Sequence, residues 1–447
     1  MSETSTIRAA GARLGQIAAQ ITAGGSWSSQ LPRDVQWNLR WYYFDGLFSA
    51  ASDAINANYL VLFILILGAS AAQIGFMTAL ASLMATILLI PGAMIADQSG
   101  NRKLVCVGGG GGIGRLMILL MALLPFVLAG PAAVAVAIAL KVILDGMNNF
   151  SYPAWASING EIVPIAWRGR YFSARNITMG IFGMGVTFLA GQFLTHNDTI
   201  QGYQIALGFA FVIGMISTSS FWNIKVKDVR SEMPASATYS PKSLWKSLSS
   251  DRHFLLYWGY SLVWNLAMGI SGPFFTPYMV QNLHANASEV GMLSILSSLA
   301  SLPALRYFGG LMDRWGATRV QLLTGFLIPL LPLAWIFTNA PYQGWLINIP
   351  GGILWAGYNL AAFSYMLELA PPEQRARYAA LLQVAIAIAG AIGNAAGGFV
   401  ATAWGYKANF IISFVGRSCA ALLLYFILRR RKTQPPQPAQ PVQPAAV

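Results

Sequence analysis

Long apolar stretches alternate with short polar segments along the whole chain. Each stretch is near or above the roughly 20 residues that an α-helix needs to cross the hydrocarbon core of a bilayer. The pattern therefore predicts an all-α membrane protein with twelve spanning helices, at about 40–67, 71–96, 104–129, 132–160, 172–195, 203–223, 254–282, 288–312, 319–338, 343–367, 377–402 and 406–428.

The polar segments between these stretches divide the chain into parts. We predict an N-terminal segment (1–39), a six-helix bundle (40–224), a linker (225–253), a second six-helix bundle (254–428) and a tail (429–447). Apolar residues at helical spacing in the first segment are compatible with a helix on the membrane surface or with disorder. The tail is rich in Pro, Gln and Ala, and we expect it to be disordered.

Composition supports this organisation. The chain is 56% hydrophobic and only 10% charged, whereas soluble domains hold about 25% charged residues. The net charge is +13, and most Lys and Arg residues fall in the end segments or in the loops that follow even-numbered spans. This asymmetry predicts that both termini are cytoplasmic. It also explains the basic charge without nucleic acid, which we exclude as a partner.

One polar loop motif occurs once in each half of the chain. Its two copies run over 93–103 and 309–319, with Asp97, Gly100 and Lys103 of the first matching Asp313, Gly316 and Arg319 of the second at one constant offset. At the same offset, the segment 69–75 resembles 285–291. A third motif, Glu-x-x-Pro followed by Arg-x-Arg-Tyr, begins at Glu161 and again at Glu368. Repeats in one order indicate two related bundles, which is typical of membrane transporters.

These loop motifs resemble those of the major facilitator superfamily, over residues 40–428. The family pattern is Gly, three residues, Asp, a basic residue, any residue, Gly, any residue and two basic residues. The second copy fits except at Thr318, while the first has Ala93 for the leading Gly and Gln98 for a basic residue. The resemblance implies two six-helix bundles that rock about a central substrate site.

The resemblance also implies that the cytoplasmic loops form a gate. Asp97 is expected to pair with basic residues and to cap the next helix, Gly100 to allow a turn at positive φ, and the loop arginines to bridge to neighbouring carboxylates. The alternative is that these residues only set the topology. The candidate gate residues are Asp97, Gly100, Arg102, Lys103, Glu161, Arg168, Gly309, Asp313, Arg314, Gly316, Arg319, Glu368 and Arg375.

Charged residues inside the predicted spans are the strongest candidates for the transport site, because charges are costly in a bilayer. Asp53, Lys141 and Asp145 lie on spans one and four, which with spans seven and ten usually line the cavity in this family. Arg115 and Arg417 lie on spans that are usually peripheral. Lys141 and Asp145 are one helical turn apart. A structural network, with Asp145 paired to Lys141 or Arg115, is the alternative role.

The second half carries aromatic and amide residues near the membrane midplane instead of acids. Trp264, Asn265, Tyr358 and Asn359 are the candidates there, together with Tyr278, Trp355 and Asn394. Such side chains suit a polar organic ligand. Packing, or a place in the aromatic belts at the membrane interfaces, is the alternative.

The sequence therefore predicts a multi-pass transporter of the cell (plasma) membrane for a small organic solute, working by alternating access with protons as a candidate coupling ion. A family member that has lost transport and serves as a receptor or assembly factor is the alternative. No nucleotide-binding loop, metal-ligand cluster or nucleophile constellation is apparent, so we expect no enzymatic activity, metal or cofactor. We expect a monomer.

Overall fold

The computed structural model describes residues 26–226, 251–370 and 375–432, together with Thr22. Within these residues all regular secondary structure is helical. The predicted surface helix in the N-terminal segment, most of the linker and most of the tail lie outside the described residues.

Twelve helices, α1 to α12, follow one another in the described residues. Seven are simple: α1 (Arg33–Ile66), α2 (Ala71–Ser99), α4 (Gly130–Ile162), α5 (Arg168–His196), α6 (Ile200–Trp222), α8 (Ala287–Trp315) and α10 (Pro341–Leu369). Three change pitch or bend along their length: α3 (Arg102–Phe126), α7 (Arg252–Ser271, then Phe275–Asn282) and α9 (Ala317–Leu327, then Leu330–Trp335). The last helical stretch, Arg375–Lys432, is broken by a positive φ of 80° at Gly405, which separates α11 (375–404) from α12 (406–432).

The helix bounds agree with the predicted spans to within a few residues at most ends. Nine helical segments of the described chain are long and apolar enough to cross a membrane, and one of them contains both α11 and α12. With α7 and α10 added, the count is the predicted twelve. The largest difference is at α1, which begins at Arg33 because polar residues extend it beyond its apolar part.

The repeated segment before α2 and α8 has a local structural cause. Ser70 and Asn286 are N-caps, and each forms a reciprocal capping box with the residue three positions later, Gln73 or Glu289. The cap oxygen accepts from the backbone N–H of the third residue, whose side chain in turn accepts from the backbone N–H of the cap. A capping box satisfies two N–H groups that the helix itself leaves unpaired.

The duplicated loop between α2 and α3, and between α8 and α9, turns at glycine in both copies. Gly100 has a φ of 69° and Gly316 a φ of 81°, which confirms the expected positive-φ turn. The cap predicted for Asp97 is wrong, because Asn101 is the N-cap of α3 and its side chain accepts from the Leu104 N–H at 3.0 Å. Asn101 can do this since it lies directly before the first helical residue, whereas Asp97 lies within α2.

The glycine run in α3 forms a π-helical segment, Val107–Gly114, between two α-helical parts. A Cβ on Gly109 would overlap the Ser151 hydroxyl of α4, and one on Gly111 would meet Thr218 of α6 at 2.9 Å. The missing side chains therefore let α3 pack tightly against two neighbours. Such π-helical turns are often found beside functional sites.

The two bundles contact each other through α2 with α11 and through α8 with α5 and α1, at the end of the molecule that carries the α1–α2 and α7–α8 loops. Ala72 N–H donates to Thr402, Gln192 donates to Ser288, and Ser294 donates to Asn58. We call these contacts the seal. In the predicted topology this end is extracytoplasmic, so the seal closes the outer side.

Glycines give the seal its close fit. A Cβ on Gly75 would lie 2.5 Å from the Asn394 carbonyl oxygen, and one on Gly191 would lie 3.0 Å from the Ser288 Cα. Gly75 and Gly291 are equivalent in the repeat, and both lie in the seal, on α2 and α8. The same small residue therefore lets each bundle approach the other.

Candidate functional site

A cleft lies between the two bundles. It begins next to the seal and continues along α2 from Met77 to Leu89. It consists of two adjoining chambers of about 380 and 510 Å³, which share Ser82, Ala85, Asn149 and Asn394 in their walls. The walls come from α1, α2 and α4 of the first bundle and from α7 and α11 of the second. The helix α10 lines two cavities of the second bundle, one of which shares Met268 with the cleft, so the place of α10 in the substrate path stays a prediction.

Lys141 and Asp145 of α4 form an ion pair in the wall of the larger chamber. The Lys141 Nζ lies 2.6 Å from both carboxylate oxygens, and the two side chains are 22% and 30% exposed. The spacing of four residues places both groups on one helix face. The pair is thus a charged but neutralised group that reaches the cleft.

Amide side chains supply most of the remaining polarity of the cleft. They come from both bundles: Asn56, Asn149, Asn265, Gln383 and Asn394. Two of these, Asn265 and Asn394, were named from the sequence. Amides both donate and accept hydrogen bonds, so the cleft offers neutral recognition groups around one ion pair.

Asp53 lies in a second cavity, of about 340 Å³, inside the first bundle. Its carboxylate accepts from the Arg115 guanidinium at 2.8 Å, and Arg115 also donates to Ser52 and Ser49. Although α3 was expected to be peripheral, the π-helical segment brings Arg115 against α1. The alternative pairing of Arg115 with Asp145 is wrong, because each acid pairs with a different base.

A further charge pair in this cavity, Asp45 with Arg175, did not emerge from the sequence. Arg175 lies within α5 and is only 4% exposed. Its guanidinium is 3.8 Å from the Asp45 carboxylate and 3.8 Å from the centre of the Tyr42 ring, and Asp45 also accepts from Ser217 at 2.7 Å. The sequence could have indicated this pair, because Asp45 and Arg175 both fall inside predicted spans.

The aromatic candidates of the second bundle pack against one another. Trp264 is 3% exposed and stacks on Tyr358 with ring centres 4.8 Å apart. The Tyr358 hydroxyl is 2.7 Å from that of Tyr260, and Trp355 packs edge-on against Tyr358. Tyr278 is similarly enclosed by other rings. These contacts favour the packing role for Trp264 and Tyr358.

Asn359 and Arg417 lie away from the cleft. Asn359 borders a groove between α8 and α10. Arg417 of α12 is 2% exposed and lines a cavity of about 410 Å³ inside the second bundle. The sequence placed both near the midplane but could not show which way the side chains face.

Four candidate gate residues, Arg102, Lys103, Glu161 and Arg168, have defined partners at the end of the first bundle opposite the seal. Arg102 donates to the Glu161 carboxylate at 2.5 Å, although a carboxylate bridge was expected from Arg168 rather than from Arg102. Lys103 donates to the carbonyl oxygens of Trp222 and Ile224, where it satisfies the end of α6. Arg168 donates to the Val163 and Gly160 carbonyl oxygens, and so holds the turn between α4 and α5.

The other gate candidates have no such contacts in the described structure. Asp97 and Asp313 form no ion pair with a described residue, and Arg314, Arg319 and Glu368 are exposed. A Cβ on Gly309 would meet nothing within 4 Å, whereas one on Gly92, beside Ala93, would overlap Phe150 of α4. Gly92 is thus the small residue that allows close packing in α2. Arg375 begins α11, and its side chain lies outside the described residues.

Comparison with known proteins gives the fold a name. The family model described as Major Facilitator Superfamily matches residues 45–272 and 262–446. No curated protein is close enough in sequence to count as a match.

Solved structures of transporters share the fold. A POT family transporter in complex with 5-aminolevulinic acid superposes with a TM-score of 0.68 at 12% identity, over 93% of this chain and all of the other. The nucleoside transporter NupG does so with a TM-score of 0.66 at 12% identity, over 89% of this chain and 100% of the other. A bacterial homologue of the human lysosomal transporter Spinster, in an inward-facing and occupied conformation, gives 0.66 at 13% identity, over 89% and 97%. Since the family model covers both bundles, this multi-pass membrane protein belongs to the major facilitator superfamily.

Proposed function

We propose that this chain is a secondary active transporter that carries a small polar organic solute through the cleft between its bundles. The main support for this proposal is the cleft. Both bundles line it, the seal closes one of its ends, and amide side chains from both bundles lie in its walls with the Lys141–Asp145 pair. A ligand held by both bundles can stabilise one arrangement of them over another, as alternating access requires.

The amides favour an uncharged or zwitterionic solute with several hydrogen-bonding groups. Amide donors and acceptors discriminate by hydrogen bonds, which are worth most in a site that excludes water. If the termini are cytoplasmic, as the basic loops predict, the cleft faces the cytoplasm in this conformation. The unengaged Asp97 and Asp313 then suit a gate that is open on the cytoplasmic side.

The Lys141–Asp145 pair is the proposed coupling group. A proton on Asp145 would remove the charge that holds Lys141, and would free the ammonium group for an acceptor on the solute. Proton binding and solute binding would then be linked through one pair of side chains. Asp53 is the second candidate: its side chain is 60% exposed, and its carboxylate is paired with Arg115 of the same bundle.

The test is uptake into proteoliposomes across a panel of nucleosides, short peptides, sugars and amino acids, with and without a pH gradient. We expect wild-type protein to accumulate at least one solute in response to the gradient. Asp145→Asn is expected to abolish accumulation but to retain exchange of labelled for unlabelled solute, because exchange needs no net coupling. Lys141→Met should weaken binding of the same solute.

Arg306→Gln is the matched control, since Arg306 is an exposed charge on α8 outside the cleft. It should accumulate solute as the wild type does. Full gradient-driven accumulation by both Asp145→Asn and Asp53→Asn would refute the coupling role. Absence of transport of every solute by well-folded protein would instead favour the receptor or assembly-factor alternative.

A further inference from the structure

Arg417 is a buried cation that has no anionic partner among the residues the structure describes. It is 2% exposed, and its position on α12, twelve residues from the Gly405 turn, places it about 18 Å into the bilayer at 1.5 Å per residue. Its Nη2 donates to the Ser271 hydroxyl at 2.5 Å, while its Nε forms no hydrogen bond. An arginine so deep in a membrane normally pairs with a carboxylate.

The other buried arginines of the described chain show that contrast. Arg115 pairs with Asp53 and Arg175 with Asp45, both inside the first bundle. The second bundle has no acid at this depth, because its acidic residues Asp251, Glu289, Asp313, Glu368 and Glu373 all lie near helix ends in the sequence. The positive charge of Arg417 is therefore left for a group from outside the chain to neutralise.

A cavity of about 410 Å³ adjoins this guanidinium. Across the cavity, α8 presents hydroxyl groups at i, i+3 and i+4 from Ser294, Ser297 and Ser298, and α7 adds Thr276. Positions with this spacing lie on one helix face. Hydroxyl donors opposite an arginine with unused N–H groups are the chemistry that binds carboxylate and phosphate oxygens.

We propose that this cavity in the second bundle is an oxyanion-binding site, with Arg417 as its charged anchor and the Ser297 and Ser298 hydroxyls of α8 as additional donors. The ligand is a carboxylate, sulfate or phosphate group, either as a small inorganic ion or as the acidic end of a larger solute. Met268 lies in the wall of both this cavity and the cleft, so the two sites are neighbours. Ser294 also donates to Asn58 in the seal, which places the anion beside the contact that closes the outer end.

The experiment measures the thermal unfolding midpoint of purified protein in detergent, titrated with chloride, sulfate, phosphate, acetate and succinate at constant ionic strength. We expect at least one oxyanion to raise the midpoint in a saturable way, because a ligand that binds only the folded state stabilises it. Arg417→Gln should weaken the apparent affinity about tenfold or more, as expected for loss of a charged hydrogen-bond donor.

Three further variants separate anion binding from a structural role. Ser271→Ala removes the hydrogen-bond partner of Arg417 but keeps the charge, so it should retain anion affinity even where it lowers the midpoint without anion. The double variant Ser297→Ala, Ser298→Ala removes two hydroxyl donors from the cavity wall and should weaken the anion affinity. It tests the site independently where Arg417→Gln does not fold. Arg306→Gln, an exposed arginine on α8, should leave the titration unchanged.

The pattern of responding anions identifies the source of the ligand. A response to sulfate or phosphate alone supports an inorganic ion, and a response to carboxylates alone supports the acidic group of an organic solute. The proposal is overturned if no oxyanion gives a saturable shift, or if the shift persists in Arg417→Gln and in the double serine variant.

Discussion

Gly75 tests whether the seal holds this conformation. An alanine Cβ there would lie 2.5 Å from the Asn394 carbonyl oxygen and 2.8 Å from the Gly398 Cα. Ordinary contact begins at 3.4 Å, so α2 and α11 must separate by about 0.9 Å, and because both close atoms belong to the backbone, no side chain can relieve the overlap. The 3.1 Å hydrogen bond from Ala72 to Thr402 would then be lengthened beyond its normal range.

Overpacking of this kind costs about 1–3 kcal/mol. The cost applies only while the seal is closed, because the two helices part when the outer end opens. Gly75→Ala is therefore expected to shift the equilibrium toward the outward-open arrangement by about 5- to 150-fold.

The assay is double electron–electron resonance with spin labels at Asp198→Cys and Asn339→Cys, in a background of Cys106→Ala and Cys419→Ala. These positions lie in exposed loops at the sealed end, one in each bundle. We expect a longer distance to gain population in Gly75→Ala. Gly208→Ala on α6, where a Cβ would meet nothing within 4 Å, is the control and should give the wild-type distribution. A Gly75→Ala distribution indistinguishable from that of the control would refute the role of the seal.

Three other predictions concern stability and folding of the first bundle. Arg175→Met is expected to lower the free energy of unfolding by about 3–5 kcal/mol, because it leaves the buried Asp45 charge unpaired. The measurement is denaturation by sodium dodecyl sulfate, in which the double variant Arg175→Met, Asp45→Asn should recover part of the lost stability. Ser70→Ala should lower the free energy of unfolding by about 1 kcal/mol, because it removes the capping box of α2. Ser301→Ala changes a serine that caps no helix and should leave that free energy unchanged. Equal losses in the two variants would argue against the capping role. Gly100→Ala should lower the thermal unfolding midpoint by the equivalent of about 1–2 kcal/mol, because Gly100 has a φ of 69°. Gly169→Ala should leave the midpoint unchanged, because Gly169 has open space around it and no positive φ. An unchanged midpoint in Gly100→Ala would contradict the strained turn.

The sequence determined features that depend on residues close together in the chain. Helices that span a bilayer are specified by runs of apolar residues, so the helices of the described chain and the Gly405 break between the last two could be located to within a few residues at most ends. Capping and positive-φ turns are equally local, and the repeat of Ser70 and Asn286, or of Gly100 and Gly316, marked the same turn in each half. Family membership followed from these repeated loops.

Only the tertiary structure decided which charges meet and which side chains reach a cavity. Arg115 lies far from Asp53 in the chain, and their contact depends on how the π-helical segment rotates α3 against α1. Trp264 is enclosed by other rings and Arg417 lines a cavity of the second bundle because of helix rotation, which a hydropathy pattern does not specify. Packing between helices distant in sequence sets that rotation, and it therefore decides which polar residues of the spans face the cleft.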